Sequence, residues 1–248
     1  ASDNVIITST HTVTITATGL ACHNLTIGQG GAAMLRIGNN NTSRTFTVWG
    51  NLTVNANASM VVPTTSNNTH RMNVYGNIIN NGTVDLHPDN NSSCDVSFLH
   101  PYNNQVLSGS GTTNRYNNIT VDKGSDKTRI VDVQTSSFVA TAGFLTLVNG
   151  TFKLSIAGTI TLTPFSVTSD IPLHAGLWLN SSTVTVNTTG DINLFGDLTV
   201  TSGTLNVGSA ADDNVVSCGG LFTINGGAVS VAGRFDRLNT ATLTRLTM

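Results

Sequence analysis

The sequence predicts an all-β protein, a right-handed parallel β-helix of about ten short coils, from its composition, an internal repeat and the shortness of its apolar runs. The 248 residues include 39 Thr, 29 Asn, 24 Gly and 22 Ser, but only 3 Lys and 3 Gln and no Glu. A chain so poor in Glu, Lys and Gln lacks the residues that fill exposed helix faces at low entropic cost. Thr and Val suit half-buried strands, while Gly and Asn tolerate the left-handed backbone of tight turns. Many short strands joined by many turns follow.

The repeat has the form Gly-x-φ-x-φ-x-x-Gly-x-φ-x-φ, with φ apolar. It is clearest from Gly196, where Leu198, Val200, Gly203, Leu205 and Val207 take the named places, and it recurs at Gly220 with Phe222, Ile224, Gly227, Val229 and Val231. A third copy begins at Gly143, and weaker ones at Gly50 and Gly76. The first glycines are 26, 67, 53 and 24 residues apart, close to multiples of one solenoid coil. Alternation sends both φ side chains of a strand to one face and the intervening Thr or Asn to solvent. The same pairing fills the gaps: Val13 with Ile15, Leu25 with Ile27, Phe46 with Val48, Ile119 with Val121, Val184 with Val186. Strands this short gain stability only by stacking on like neighbours.

A β-sandwich is the alternative, since it also shows short alternating strands. One pattern recurring at coil-like spacing, with 6% aromatics, disfavours it. Residues 1–233 are expected to form a single β-helix domain, with an irregular coil or loop at 88–118 that still supplies Val96, Phe98, Val106 and Leu107 to the core. Residues 234–248 are expected to form a C-terminal cap or a strand for contact with another subunit.

The segments Asp3–Ile7, His11–Ile15 and Cys22–Gly28 resemble the opening coils of large secreted bacterial β-helix surface proteins. Gln105–Gly111 and Tyr116–Val121 resemble their recurring later coils. The resemblance covers roughly Asp3 to Gly233 and rests on structural, low-complexity motifs. It implies a secreted or cell-surface location, an adhesive role and, for many such proteins, export by type IX secretion. The C-terminal sorting domain of that cargo is not recognisable. Ala1 to Asn4 show no basic or apolar leader, as in a mature product whose signal peptide is removed and equally as in a cytosolic chain.

Because β-helices include polysaccharide lyases and glycosidases, catalytic groups matter. Glycoside hydrolysis needs two flanking carboxylates, which here only Asp can supply. Asp212-Asp213 resembles the doublet of polygalacturonase-like enzymes, without their Asn-Thr-Asp and Gly-His-Gly companions, and reads more simply as a solvated turn. Asp122, Asp126 and Asp132 beside Lys123, Lys127 and Arg129 come nearest to a calcium and base cluster, and read more simply as an exposed, charge-balanced loop. Nucleophile-elbow, phosphate-loop and zinc-protease motifs are missing. The six His, at 11, 23, 70, 87, 100 and 174, fall outside ligand spacing. Cys22, Cys94 and Cys218 are open to buried packing, one disulfide with a leftover thiol, or a metal or redox role. No catalytic residue, cofactor or metal site is expected.

A formal charge of -2 offers no footprint for nucleic acid, and no 18-residue apolar run spans a membrane. Thirteen N-x-[ST] sequons, at Asn24, Asn40, Asn41, Asn51, Asn57, Asn67, Asn81, Asn90, Asn91, Asn118, Asn149, Asn180 and Asn187, stand against about seven expected from composition. They mark either a glycosylated coat or the automatic outcome of a turn Asn followed by a strand Thr. A solenoid leaves an open rung at each end. Val5, Ile6 and Ile7 at one end, and Leu238, Leu243 and Leu246 at the other, are the candidate assembly residues. The functional expectation is a non-enzymatic extracellular structural or adhesive rod. It contacts cell-surface or extracellular glycans, or joins copies head to tail as a filament subunit. A carbohydrate-active or carbohydrate-binding β-helix protein is the alternative.

Overall fold

The computed structural model describes residues 3–208, 214–237 and 245–247, the last as backbone. The chain is a right-handed parallel β-helix of about nine turns among the described residues, with no α-helix among them. The strand pairings are parallel where a sandwich requires antiparallel ones, which removes the alternative. Contacts divide the chain into two compact units: Ala1–His100 with Gln105–Thr120 and Thr135–Ala140, and Pro101–Asn104 with Val121–Gln134 and Thr141–Met248.

In the first unit each coil contributes a strand to three faces. One face stacks Val5–Thr8, Leu25–Gln29, Leu52–Val54, Ile78–Asn80 and Gln105–Ser108. A second stacks Thr12–Ile15, Met34–Ile37, Ser59–Val61, Thr83–Asp85, Thr113–Tyr116 and Phe138–Ala140. The third stacks Leu20–Cys22, Thr45–Val48, Thr69–Val74 and Ser93–Phe98. Val5 lies beside Leu25 and Thr83 beside Thr113, so a turn takes from 20 to 30 residues. The segment at 88–118 therefore carries three strands, with Val96, Phe98 and Leu107 fully buried and Val106 facing outward, half-buried.

Alternation puts Phe46, Met72 and Val96 in one inward column and Val48, Val74 and Phe98 in the next. Burying each such side chain contributes about 1.5–3 kcal/mol. Outside the core, Asn4, Asn24, Asn51 and Asn77 form a ladder on one corner. Each side-chain Oδ1 accepts a backbone N–H of the following coil: Asn4 from Asn24 at 3.2 Å, Asn24 from Asn51 and Asn51 from Asn77 at 2.8 Å, and Asn77 from Val106 at 2.9 Å.

Polar groups also enter the first unit's interior, where each must be hydrogen-bonded to be tolerated. Asn80 takes the inward place that Val54 holds one coil earlier, and Asn114 stands between Val84 and Phe138. Asn80 Nδ2 donates to Thr113 O at 2.7 Å and Asn114 Oδ1 at 3.0 Å, and its Oδ1 accepts from Gly82 N. Asn114 Nδ2 reaches Ser137 Oγ at 2.7 Å and Thr135 Oγ1 at 3.0 Å.

The second unit repeats the three-faced plan with longer strands that run round a corner. Asp197–Val207 pairs with Leu221–Ile224 through its first half and with Ala228–Val231 through its second. Leu198 faces Phe222, Val200 faces Ile224, Leu205 faces Val229 and Val207 faces Val231, in parallel register as the repeat predicts. Between the halves Gly203 has φ +98, where a side chain is strained. The repeat's second glycine is thus the corner between two faces. Arg234–Arg237 pairs with Val215–Cys218, and Arg245–Thr247 with Leu221–Ile224, so both take places in this chain's own coils. Cys22, Cys94 and Cys218 are buried thiols outside any disulfide, and burial pushes each of them up in pKa.

Candidate functional site

The outward side of the first unit's third face is polar. Thr45, Arg71 and Asp95 stand in one register column, Thr47, Asn73 and Ser97 in the next, and Thr69 with Ser93 begins a third. Rows along a strand repeat every second residue and columns every coil, so this is a grid of hydroxyl, amide and charged groups fixed on rigid backbone. Arg71 is exposed, and its guanidinium makes no hydrogen bond or ion pair with any described residue. Beside it lies Arg44, whose Nη2 donates to Asn40 Oδ1 at 3.1 Å while its buried Nε has no partner among the described residues. Ser43, Arg44, Thr45, Thr69 and Arg71 line a cleft on this face.

Asp95 is half-buried, and burial pushes its carboxyl up in pKa. The Asn117 amide at 3.0 Å, the Arg71 charge, the Asn118 backbone N–H and His87 act in the opposite sense. Under the face lies a buried Ser66–His70 pair, Oγ to Nε2 2.6 Å. It looks like a nucleophile and base, but His70 Nδ1 accepts the Arg44 backbone N–H at 3.0 Å. The ring proton is therefore on Nε2 and is donated to Ser66, so His70 has no free nitrogen to take the serine proton. Burial, and secondarily the Arg44 charge, push the His70 pKa down and keep it neutral. The pair is a structural brace for the turn that enters the face.

Trp49 and Tyr75 stack with centroids 4.3 Å apart and planes 30° apart. Each ring covers one face of the other, and Trp49 remains 42% exposed.

Comparison with protein-family profiles, curated proteins and solved structures returns no significant match.

In the second unit the charged group that sequence places nearest to a calcium and base cluster is dispersed. Lys127 pairs with Asp197 at 2.5 Å, and Lys153 lies 3.8 Å from Asp132 and 4.3 Å above the Trp178 ring. Asp126 accepts from the Thr128 backbone N–H and hydroxyl, and Asp122 from the Asn149 amide at 2.9 Å. Lys123 points inward and is fully buried; burial, then Arg129, push its pKa down to about 8. No three His, Cys, Asp or Glu among the described residues are grouped to hold a metal. Asp212, Asp213, Leu238 and Leu243 lie outside the described residues, and Leu246 sits opposite Phe222 in register.

None of the thirteen sequon asparagines is buried. Asn40, Asn41, Asn51, Asn57, Asn67, Asn81, Asn90 and Asn91 are exposed, and Asn24, Asn118, Asn149, Asn180 and Asn187 half-buried. The nitrogen to which a glycan attaches is already donating in Asn24, Asn149 and Asn180, to Asn4, Asp122 and Ser155. At Asn24 and Asn51 the sequon is a ladder Asn, then an inward Leu, then an outward Thr.

Val5, Val13 and Leu20 pair with the buried Leu25, Leu35 and Phe46, so they face inward, yet they are 41%, 43% and 46% exposed. With Ile7, Ile15 and Cys22 they line an apolar hollow on the first described coil. Ile6, in register with the outward Thr26, faces solvent. No helix among the described residues is long and apolar enough to cross a membrane.

Proposed function

We propose that this protein is a non-enzymatic, extracellular structural and adhesive element that holds glycans on the outward side of a β-helix face. The observation that carries the reading is the fixed grid of Thr45, Thr47, Thr69, Arg71, Asn73, Ser93, Asp95 and Ser97, of which Ser93 is buried and the other seven are half-buried or exposed. Hydroxyls and amides at regular spacing suit the repeating hydroxyls of a polysaccharide, and a rigid scaffold keeps the ordering cost of binding low. Asp95 is the one carboxylate among these eight residues, whereas glycoside hydrolysis needs a second across the scissile bond. Retention on immobilised polysaccharides should occur with no change in chain length of the same polymer in solution, followed by size-exclusion chromatography. Progressive shortening would make the protein an enzyme and sink the reading.

A second reading, self-association, is favoured by the apolar hollow that Val5, Val13 and Leu20 line, which no other described residue fills. Among the described residues Val5–Thr8, Thr12–Ile15 and Leu20–Cys22 each pair on one side, and parallel strands over an apolar hollow match another coil of the same kind, here from a second copy added head to tail. Such a contact is heterologous and builds a filament. The wild-type protein should sediment as concentration-dependent oligomers, and Val13→Glu/Leu20→Glu as a monomer. A wild type that remains monomeric at every concentration ends this reading.

A further inference from the structure

The Arg71 guanidinium has no hydrogen-bonding or ion-pairing partner among the described residues, although it stands on a face built of hydrogen-bonding groups. Asp95 is its register neighbour, but the two do not form an ion pair, and the Asp95 carboxylate is held by the Asn117 amide. Arg44, next to Arg71 in the same cleft, has a buried Nε with no partner among the described residues. Ser43, Thr45 and Thr69 line the same cleft; the Ser43 hydroxyl donates to Asn68 Oδ1 at 2.6 Å and Thr69 Oγ1 accepts from Ser93 Oγ at 3.2 Å. A cleft with two guanidinium groups and three hydroxyls complements an anion that itself carries hydroxyls.

We infer that the Arg44–Arg71 cleft binds the carboxylate of an acidic polysaccharide, a polyuronate chain lying over the third face of the first unit. The inference rests on the glycan-holding reading above and names its ligand class. Arg presents a planar fork that engages a carboxylate through two parallel N–H···O bonds. Asn73 and Thr47, further along the strands, are placed for hydroxyls of the same chain, since they lie two residues on from Arg71 and Thr45. Asp95 opposes the anion from one coil away. Its removal therefore acts on affinity in the direction opposite to removal of Arg71.

Affinity electrophoresis of the full chain through gels containing alginate, neutral dextran or dextran sulfate tests the assignment. Wild type should be retarded most by alginate, and the retardation should fall as salt rises. Arg71→Gln should weaken alginate binding at least tenfold and Arg71→Lys by less, while Asp95→Asn should strengthen it. Arg71 is solvent-exposed, so the variants should keep the wild-type β circular-dichroism signal, and a variant that loses that signal is replaced by Arg44→Gln, for which the same weakening is expected. Equal alginate binding by wild type and folded Arg71→Gln overturns the assignment, as does stronger retardation by dextran sulfate than by alginate. Binding to neutral dextran that equals binding to alginate overturns the acidic ligand but leaves glycan adhesion standing. Binding to none of the three overturns both.

Discussion

Gly109→Val is expected to unfold the first unit, with a loss above about 4 kcal/mol that few single substitutions reach. Two effects act together. Gly109 has φ +113, a region closed to a β-branched residue, and a Cβ there would lie 2.0 Å from Asn80 O and 2.7 Å from Asn80 N. Those atoms belong to backbone that carries the buried Asn80–Asn114 network, so they cannot retreat without breaking it. Gly19→Ala is the control. Its φ is +75, but nothing lies within 4 Å of the added carbon, so only the left-handed backbone penalty of about 1–2 kcal/mol remains. Urea unfolding of both variants measures the difference. A Gly109→Val midpoint within reach of the Gly19→Ala midpoint would show that the coil corner yields.

Asn114→Ala is the second large effect, about 2–4 kcal/mol. The side chain is fully buried and joins Asn80, Thr135 and Ser137. Its removal leaves hydroxyl and amide groups without partners in a space too enclosed to hydrate freely, and that penalty exceeds the net value of the bonds themselves. The effect should appear as a lower urea midpoint at an unchanged slope. Asn73→Ala, on the outward side of the third face, should change the midpoint by no more than about 0.5 kcal/mol equivalent. Equal shifts for the two would mean that the interior network contributes nothing beyond its surface counterpart.

The coil plan was legible because inward positions are read from alternation, and alternation survives in Leu198, Val200, Leu205 and Val207 without any knowledge of what they touch. Interior Asn80, Asn114 and Lys123 were not legible. A polar residue at an inward place looks like the end of a strand until its partners are known, and those of Asn114 come from 34 residues before it and 21 and 23 after it. The polar face was hidden for a related reason. Thr45, Arg71 and Asp95 become neighbours only through coil register, which short-range motifs do not record. The sequon surplus was visible, and part of its cause lies in the ladder at Asn24 and Asn51, which places an Asn two residues before an outward Thr.

That ladder makes alignment between successive coils a shared property of the stack. Four bonds, to Asn24, Asn51, Asn77 and Val106, depend on each asparagine standing one coil behind the amide it serves. If one strand slips by a single residue, its side chains change faces, and the ladder bonds on either side of it break together. Low-complexity coils of Thr, Asn and apolar residues have many near-equivalent pairings, so apolar contact alone discriminates weakly between them. The asparagines act as a proofreading device: a misaligned coil forfeits several directional bonds at once and is returned to the search, whereas the correct one is accepted whole.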